Sequence, residues 1–211
     1  MLFEIILALL GLILIGTLAV IWVSPPIKGK SICVLGLPQT GKTLFFNALQ
    51  GKYAKSVDET NVDKIESFRL KDENGKTILK IRDTKDIGGS NNYARQYYDE
   101  LIKNSDIVIF CCNIYEYLKK DGNARSVKAR MQYVYTLLKK YNKAEMEPES
   151  NRVRIFLTYA DQVDDRKEAI AKFVKSIEGE DFAYFAQNVA AVNMTDKNEV
   201  NELIKLTLYG K

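Results

Sequence analysis

The sequence predicts an α/β protein: a three-layer domain with a mixed, mostly parallel six-stranded sheet, preceded by a single transmembrane helix. Three observations lead to this prediction. The first 23 residues are almost entirely apolar, strands alternate with amphipathic helices from residue 30 onward, and one hairpin signal interrupts that alternation. With 211 residues, the chain is long enough to build one such domain with a substantial core behind the apolar segment.

The apolar segment runs from Leu2 to Val23 and contains one charged residue, Glu4. As a helix it is about 33 Å long, at about 1.5 Å per residue, which matches the roughly 30 Å hydrocarbon core of a bilayer. Trp22 lies where an interfacial indole is favoured, and Pro25 follows where a helix ends. A cleaved signal peptide has a basic start, a shorter apolar core and a small-residue cleavage site. Because the segment shows none of these features, we expect an uncleaved anchor.

The charges around this segment predict its orientation. Lys28 and Lys30 follow it, whereas no basic side chain precedes it. The positive-inside rule therefore places the carboxyl-terminal side in the cytoplasm. We expect a single-pass membrane protein in which residues 1–23 form the anchor, residues 24–29 a short linker, and residues 30–211 a cytoplasmic domain close to the bilayer.

Apolar periodicity assigns the elements of the domain in order. Short apolar or alternating runs predict six strands: Ser31–Leu35, Ile65–Leu70, Thr77–Ile81, Ile107–Ile114, Arg152–Thr158 and Val189–Val192. Helical periodicity predicts five helices: Leu44–Leu49, Tyr93–Lys103, Ser126–Tyr141, Lys167–Ile177 and Glu199–Leu208. The turn signal Asn74-Gly75 predicts that the second and third strands pair as an antiparallel hairpin. The fourth strand is a continuous apolar run, which is typical of a central parallel strand buried on both faces.

The composition excludes several kinds of site. The chain has no histidine, which rules out catalytic triads and metal sites that depend on histidine. Its net charge is +4. Because lysines and acidic residues are interspersed, we expect no nucleic-acid partner. The cysteines, Cys33, Cys111 and Cys112, lie inside apolar runs without metal-ligand spacing. We therefore expect them to be buried side chains in a reducing compartment.

One motif follows the first strand and opens the first helix: Gly36-Leu37-Pro38-Gln39-Thr40-Gly41-Lys42-Thr43. It fits the phosphate-binding loop G-x-x-x-x-G-K-[ST] at every fixed position. Its glycines let backbone amides and the helix N-terminus surround a polyphosphate. Lys42 would reach the β- and γ-phosphates, and the hydroxyl of Thr43 would bind Mg²⁺. The alternative is a plain glycine-containing turn, but strand, loop and helix together favour a nucleoside triphosphate site.

A phosphate loop alone leaves kinases, ATPases and GTPases open, and two later segments narrow the choice. A switching GTPase needs a threonine that returns to Mg²⁺ and the γ-phosphate, and an Asp-x-x-Gly turn after a strand. Thr60, in the polar loop before the hairpin, is the candidate threonine. Asp86-Ile87-Gly88-Gly89 fits the turn, with Asp86 holding a Mg²⁺-bound water and the Gly89 amide contacting the γ-phosphate. Asp83 is interpreted as an ordinary polar residue near a strand end.

The candidate base-binding residues follow the last two strands. Thr158-Tyr159-Ala160-Asp161 is similar to the [NT]-K-x-D guanine motif, with Tyr159 in place of the lysine. The carboxylate of Asp161 can accept hydrogen bonds from N1 and N2 of guanine, which adenine cannot supply. Tyr159 can cover the base by stacking. Asn193-Met194-Thr195 lies where a backbone loop would contact the guanine O6. The alternative is that Asp161 is only a loop acid or a helix cap.

With these motifs in place, residues 30–211 resemble a small Ras-superfamily GTPase, nearest in pattern to the Arf family and to the β subunit of the signal recognition particle receptor. Gly36-Leu37 opens the phosphate loop as in those families. Asp86-Ile87-Gly88-Gly89 is similar to the Asp-Val-Gly-Gly of the Arf family. The receptor subunit also carries an N-terminal membrane anchor ahead of the same domain.

The resemblance implies a P-loop GTPase fold of the Ras type that binds GTP or GDP with Mg²⁺. It implies catalytic roles for Lys42, Thr60 and Gly89. It also implies two switch loops, Val57–Asp63 and Ile87–Tyr97, that contact a protein partner. The implied Mg²⁺ ligands are Thr43, Thr60 and Asp86.

The chain departs from these families where hydrolysis is concerned. Arf and Ras proteins carry a glutamine directly after the Asp-x-x-Gly turn, where it orients the attacking water, and here that residue is Ser90. Gln96 lies further along and is interpreted as a solvated helix residue. No motif places an arginine at the γ-phosphate, although Arg82 and Arg95 lie nearby in sequence. We therefore expect hydrolysis to be slow or to depend on a partner.

Together these features predict a membrane-anchored GTP-binding protein with nucleotide-dependent switch loops. One alternative is a receptor or scaffold subunit that binds GTP without significant turnover, which Ser90 favours. A less favoured alternative is an ATP-dependent P-loop kinase or ATPase.

Overall fold

The structure is a computed structural model that describes residues 31–53, 62–71, 77–141 and 152–209. The predicted anchor and linker lie outside the described residues and stay predictions. Within the described ranges, no helix is both long and apolar enough to cross a membrane.

Strands and helices alternate through most of the described chain. The strands are β1 (Ile32–Gly36), β2 (Val62–Ile65), β3 (Phe68–Lys71), β4 (Thr77–Ile81), β5 (Thr84–Ile87), β6 (Ile107–Asn113), β7 (Val153–Thr158) and β8 (Val189–Ala191). The helices are α1 (Lys42–Leu49), α2 (Asn91–Asn104), α3 (Ile114–Lys119), α4 (Asp121–Lys140), α5 (Arg166–Ser176) and α6 (Lys197–Ile204). Further short elements are the 3₁₀ turns Ala160–Gln162 and Ala183–Asn188 and the π turn Lys205–Tyr209.

Four strands form the central sheet in the order β1-β6-β7-β8, and all three pairings are parallel. Every residue of β1 and β7 is buried, and β6 is buried along its length up to Asn113. A strand needs such a continuous apolar run when helices cover both of its faces. The α/β class and the mostly parallel central sheet predicted from the sequence are confirmed.

Helices pack on both faces of this sheet and give it three layers. Along β6, the side chains of Val108, Phe110 and Cys112 belong to a core shared with α2, α4 and α5. The intervening side chains of Ile109 and Cys111 belong to a second core shared with α1 and α6. This alternation follows from the two-residue repeat of a strand. The sheet therefore separates two apolar cores, one on each face.

The remaining strands differ from the predicted six-stranded mixed sheet. β3 and β4 pair antiparallel, as the hairpin signal predicts, but they form a separate two-stranded sheet. β2 and β5 form another antiparallel pair, in which Asp63 lies opposite Asp86. The prediction of one six-stranded sheet is thus wrong. Within the described residues, a four-stranded parallel sheet lies beside two antiparallel pairs.

Two local features explain this difference. The sequence predicts one strand at Ile65–Leu70, but Glu66 and Ser67 interrupt it between β2 and β3. The amide of Ser67 donates to Oδ1 of Asp83 at 2.9 Å, which fixes the bend. β5 was not predicted because polar residues, among them Asp86, obscure its apolar character.

The helices between β6 and β7 begin earlier than predicted. The sequence predicts one helix at Ser126–Tyr141, whereas α3 follows β6 directly and α4 begins at Asp121. Asn113 is the N-cap of α3, because its side chain accepts a hydrogen bond from the amide of Glu116 at 3.1 Å. Lys120, in an extended conformation, separates the two helices. Polar residues at the start of α4 conceal it from an apolar pattern.

The prediction that the cysteines are buried is confirmed, and the reducing compartment stays a prediction. Cys33, Cys111 and Cys112 are buried within the central strands and form no disulfide bond. Burial raises the pKa of the Cys111 thiol to about 12, so the thiol stays neutral and behaves as a small apolar side chain.

The two-core architecture predicts the cost of truncating Phe156, which is fully buried and meets the ring of Phe45 at 5.2 Å in an edge-on arrangement. Phe156→Ala should lower the free energy of unfolding by about 3–5 kcal/mol and the melting temperature of the full chain by roughly 10 °C. Circular dichroism during heating measures this change. Leu118→Ala, at a side chain that is 39% exposed, serves as the control and should change the melting temperature little. Equal shifts in the two variants would contradict the assigned core.

Candidate functional site

The candidate site lies at the carboxyl edge of the central sheet. Parallel strands bring their carboxyl ends to one edge, and loops at that edge commonly bind ligands. The phosphate loop follows β1, and the two predicted base loops follow β7 and β8. β5 packs against β1, and the Asp86–Gly89 segment, called the turn below, begins with the last two residues of β5 and continues past its carboxyl end. The fold thus brings these four segments to the same edge.

The phosphate loop is held tightly at its first glycine. Gly36 has a φ of 147°, and a Cβ placed there would lie 2.3 Å from the carbonyl oxygen of Cys111. Only glycine fits such a conformation and contact. The carbonyl of Leu37 accepts hydrogen bonds from Nζ of Lys42 at 2.8 Å and from Oγ1 of Thr40 at 2.9 Å. The loop is therefore closed on itself, with the lysine drawn across it.

The amino end of α1 is arranged for an anion. Gly41, the N-cap of α1, has a φ of 80°, and among the described residues no side chain caps this helix. By contrast, α2, α3, α5 and α6 each have a side-chain oxygen that accepts from their first-turn amides. The first-turn amides of α1 are the groups that a phosphate can satisfy.

The Asp86–Gly89 turn packs directly on the phosphate loop. A Cβ at Gly89 would lie 2.0 Å from both the carbonyl carbon of Leu37 and the nitrogen of Pro38. Asp86 is 2% exposed. Nζ of Lys42 donates to the carbonyl oxygen of Leu37 at 2.8 Å, and a Cβ at Gly89 would lie 2.4 Å from the same oxygen. The structure therefore brings the predicted catalytic residues Lys42 and Gly89 together.

The donor set suits a hard divalent cation. The predicted ligands Thr43 and Asp86 offer a hydroxyl and a carboxylate oxygen, and Mg²⁺ prefers one or two such protein oxygens together with phosphate oxygens. The third predicted ligand, Thr60, lies outside the described residues. The residues in place therefore fit Mg²⁺ bound with a nucleotide.

The residue after the turn has a structural task. Ser90 is the N-cap of α2, and its hydroxyl accepts a hydrogen bond from the amide of Tyr93 at 3.4 Å. Gln96 is exposed on α2, as predicted for a solvated helix residue, and Arg82 and Arg95 are exposed as well. None of these three side chains is held in the site.

The predicted base loops meet the phosphate loop at Gly41. A Cβ at Gly41 would lie 3.2 Å from Cγ of Met194 and 3.7 Å from Cγ2 of Thr158. Thr158 is fully buried and donates from Oγ1 to the carbonyl of Cys112 at 3.2 Å. Tyr159 has a left-handed φ of 57°, and Asp161 follows it as an exposed residue of a 3₁₀ turn. The two predicted base loops thus contact the phosphate loop at Gly41.

A salt bridge that the sequence reasoning missed joins the two base loops. Arg166 at the start of α5 binds both carboxylate oxygens of Glu199 in α6, at 2.8 and 3.0 Å. Nε of Arg166 also donates to the carbonyl of Ala160 at 3.1 Å. Glu199 in turn accepts from the amide of Asn193 at 2.9 Å. The ion pair therefore holds the Asp161 turn and the Asn193 loop at a fixed separation.

The Asn193 loop is also ordered internally. Oδ1 of Asn193 accepts hydrogen bonds from the amide of Thr195 at 2.9 Å and from its hydroxyl at 2.8 Å. Such a turn leaves the peptide of Met194 in a set position beside Gly41. No motif signals the partnership of Arg166 and Glu199, because they are distant in sequence and either could be an ordinary helix surface residue.

No family of known proteins matches the sequence, and no curated protein matches it. Among solved structures, 925 chains match the fold. One is Era in complex with MgGDPNP and nucleotides 1506–1542 of 16S ribosomal RNA, with a TM-score of 0.56 and 14% sequence identity. The match covers 86% of this chain and 56% of the Era chain, so this chain spans little more than half of that protein. The likeness shows that the two chains share their fold, an α/β fold with a mostly parallel central sheet.

The expectation that excludes nucleic acid is wrong. It rests on a small net charge and on interspersed lysine and acidic residues. The Era structure, which has the same fold, is in complex with RNA. A modest overall charge therefore does not exclude a nucleic-acid partner for a protein with this fold, since binding depends on where charges lie and not on their sum.

The close contact between the turn and the phosphate loop predicts that adding one methyl group at Gly89 lowers stability strongly. In Gly89→Ala the new Cβ meets backbone atoms at 2.0 Å, so the turn or the loop must move. We expect urea denaturation of the full chain to show a loss of about 2 kcal/mol or more in the free energy of unfolding.

The matched control is Gly122→Ala in α4, where nothing lies within 4 Å of the new Cβ. Because alanine favours a helix over glycine, this variant should be unchanged or up to about 1 kcal/mol more stable. If both variants unfold at the same urea concentration, the close contact at Gly89 does not exist.

Proposed function

We propose that this chain is a membrane-anchored GTP-binding protein, in which Mg²⁺ and GTP lie between the phosphate loop, the Asp86–Gly89 turn and the two base loops. The segments Val57–Asp63 and Ile87–Tyr97 change with the bound nucleotide and contact a protein partner. Within the Ras superfamily, the motifs are most similar to those of the Arf family and of the signal recognition particle receptor β subunit.

The observation that carries this proposal is the meeting of three loops at Gly41. A nucleotide joins its base to its phosphates through one ribose, so a site for it needs a base pocket directly beside a phosphate loop. Thr158 and Met194, from the two base loops, both lie within van der Waals distance of a methyl group placed at Gly41. The salt bridge of Arg166 and Glu199 keeps both loops in that position.

Guanine is favoured over adenine by the placement of Asp161. Its carboxylate is exposed at the turn that Arg166 holds through Ala160, so it is available to accept two hydrogen bonds from a base edge. Guanine offers two donors there at N1 and N2. Tyr159, which is half-buried, supplies an aromatic face in place of the lysine stem.

The proposed site lies at the edge of the sheet far from the first described residue. That residue is Ser31, whose amide donates to Asp106 at the amino edge of the sheet at 2.8 Å. The phosphate loop lies at the other end of β1. A site at this edge is compatible with the proposed anchor in residues 1–23 and with triphosphate supplied from the cytoplasm.

Turnover is the weaker part of the proposed function. Lys42 and Mg²⁺ would neutralise charge on the γ-phosphate as water attacks in line. The side chain that should orient that water is missing, since the hydroxyl of Ser90 caps α2. This observation favours slow or partner-dependent hydrolysis, and it equally supports a receptor or scaffold subunit that holds GTP with little turnover.

A competition experiment tests the nucleotide assignment. The full chain, loaded with a fluorescent GDP analogue and Mg²⁺, should release it on addition of GTP at concentrations at least about a hundredfold lower than ATP, since a site that pairs with a polar base edge rejects a base that leaves it unpaired. Asp161→Ala should remove most of this preference. Asp164→Ala, at a neighbouring exposed acid, is the control and should retain it. Equal displacement by ATP and GTP from the unaltered chain would refute the guanine assignment and support an ATP-dependent enzyme.

Single-turnover hydrolysis of bound GTP tests the role of residue 90. The unaltered chain should release phosphate slowly. Ser90→Gln, which supplies a longer side chain with an amide, should raise the rate at least about tenfold, because an oriented water contributes strongly to this chemistry. Ser90→Ala removes the cap without adding an amide and should leave the rate unchanged. The same slow rate in all three proteins would show that this position does not limit hydrolysis.

A further inference from the structure

Arg130 of α4 is a buried arginine at the back of the candidate site. Only 5% of the residue is exposed to solvent. Nη1 donates to the hydroxyl of Tyr98 at 3.0 Å, and Nη2 donates to the carbonyl of Gly89 at 3.3 Å and to Oδ1 of Asn91 at 2.6 Å. All three acceptors are uncharged, so these contacts are hydrogen bonds to neutral groups and not salt bridges.

Tyr98 extends this network to the phosphate loop. Its hydroxyl accepts from the amide of Gly36 at 3.1 Å and donates to the carbonyl of Gly36 at 3.2 Å. With the bond from Arg130, the one donor and both acceptor positions of the hydroxyl are used. Burial raises the pKa of Tyr98, an effect that Arg130 partly offsets. The hydroxyl therefore stays protonated and can donate a hydrogen bond to the carbonyl of Gly36.

The network has two branches that reach different parts of the site. Through Tyr98, it holds Gly36, which belongs to the part of the phosphate loop that any nucleotide would use. Through Gly89 and Asn91, it holds the turn whose amide is predicted to contact the γ-phosphate alone. Gly89 is thus confined on one side by the Leu37–Pro38 peptide and fastened on another by Arg130.

We infer that Arg130 is a positioning residue that holds the Gly89 turn ready for a γ-phosphate, and so sets how strongly the site prefers GTP over GDP. This inference rests on the proposed function. Arg130 is not itself predicted to contact the nucleotide, since its hydrogen bonds go to Tyr98, Gly89 and Asn91. Its influence on the nucleotide passes through the position of Gly89.

The direction of the effect follows from the two branches. Without Arg130, the Gly89 turn can leave the phosphate loop, and a γ-phosphate must then reorder it before the Gly89 amide can donate. That cost falls on the triphosphate and not on the diphosphate. Loss of a hydrogen bond from a charged donor corresponds to about a tenfold change in affinity. The preference for GTP should therefore fall about tenfold while the affinity for GDP changes little.

The test compares equilibrium affinities of the full chain for GDP and for a non-hydrolysable GTP analogue, both with Mg²⁺. Arg130→Gln removes the guanidinium and should reduce the ratio of the two affinities about tenfold. Arg125→Gln makes the same charge change at an exposed site on the same helix and should leave the ratio unaltered. Arg130→Lys keeps the charge but cannot reach all three acceptors, and should give a partial reduction.

Asn91→Ala provides a second route if Arg130→Gln fails to fold. It removes one acceptor on the side of the turn and leaves the buried packing of α4 in place, and it should also lower the preference for the triphosphate. Asn92→Ala, at the adjacent exposed residue, is its control. Equal losses for both nucleotides, or no loss, in Arg130→Gln and Asn91→Ala would overturn the inference. If the unaltered chain bound neither nucleotide, the proposed function would fail and this inference with it.

Discussion

The candidate site depends on backbone packed directly against backbone. The phosphate loop lies between the end of β6 and the turn after β5, and at both contacts there is no room for a side chain. A Cβ at Gly36 would meet the carbonyl of Cys111 at 2.3 Å, and one at Gly89 would meet the Leu37–Pro38 peptide at 2.0 Å. Glycine is required at both positions by this contact alone. The shape of the loop is therefore set by the parallel pairing of β1 with β6 and by the approach of β5.

Side chains then join the loops that the sheet brings to this edge. The pair Arg166 and Glu199 is partly exposed, with side-chain exposures of 40% and 30%, so its contribution to stability is small, on the order of 1 kcal/mol or less. Its effect is positional, because the same two side chains also bind the carbonyl of Ala160 and the amide of Asn193. Arg130 is buried and acts at the opposite side of the loop. The salt bridge joins the loops after β7 and β8, and Arg130 binds the segment that carries Gly89.

The sequence predicted what is local and missed what is long-range. The phosphate loop, the hairpin and the buried parallel strands each have a pattern within a few neighbouring residues, and each is found in the structure. β5 was missed because Asp86, a predicted Mg²⁺ ligand, interrupts the apolar pattern of its strand. Arg130 was missed because nothing near it in sequence distinguishes it from other basic residues of α4. Its position depends on the packing of α4 against α2, which no spacing rule supplies.

Residue 90 shows why the proposed nucleotide binding and the proposed hydrolysis would place opposite demands on one side chain. α2 begins directly after Gly89, and its first turn needs a side chain that accepts from a backbone amide, a contribution of about 1 kcal/mol. Ser90 meets that need. α2 must start there to bring Tyr98 to Gly36, where the tyrosine hydroxyl binds both the amide and the carbonyl. A glutamine at residue 90 could reach toward a water, but it would give up the cap that fixes the start of α2. Ser90 therefore caps α2 at the position from which, in the proposed function, hydrolysis would be directed.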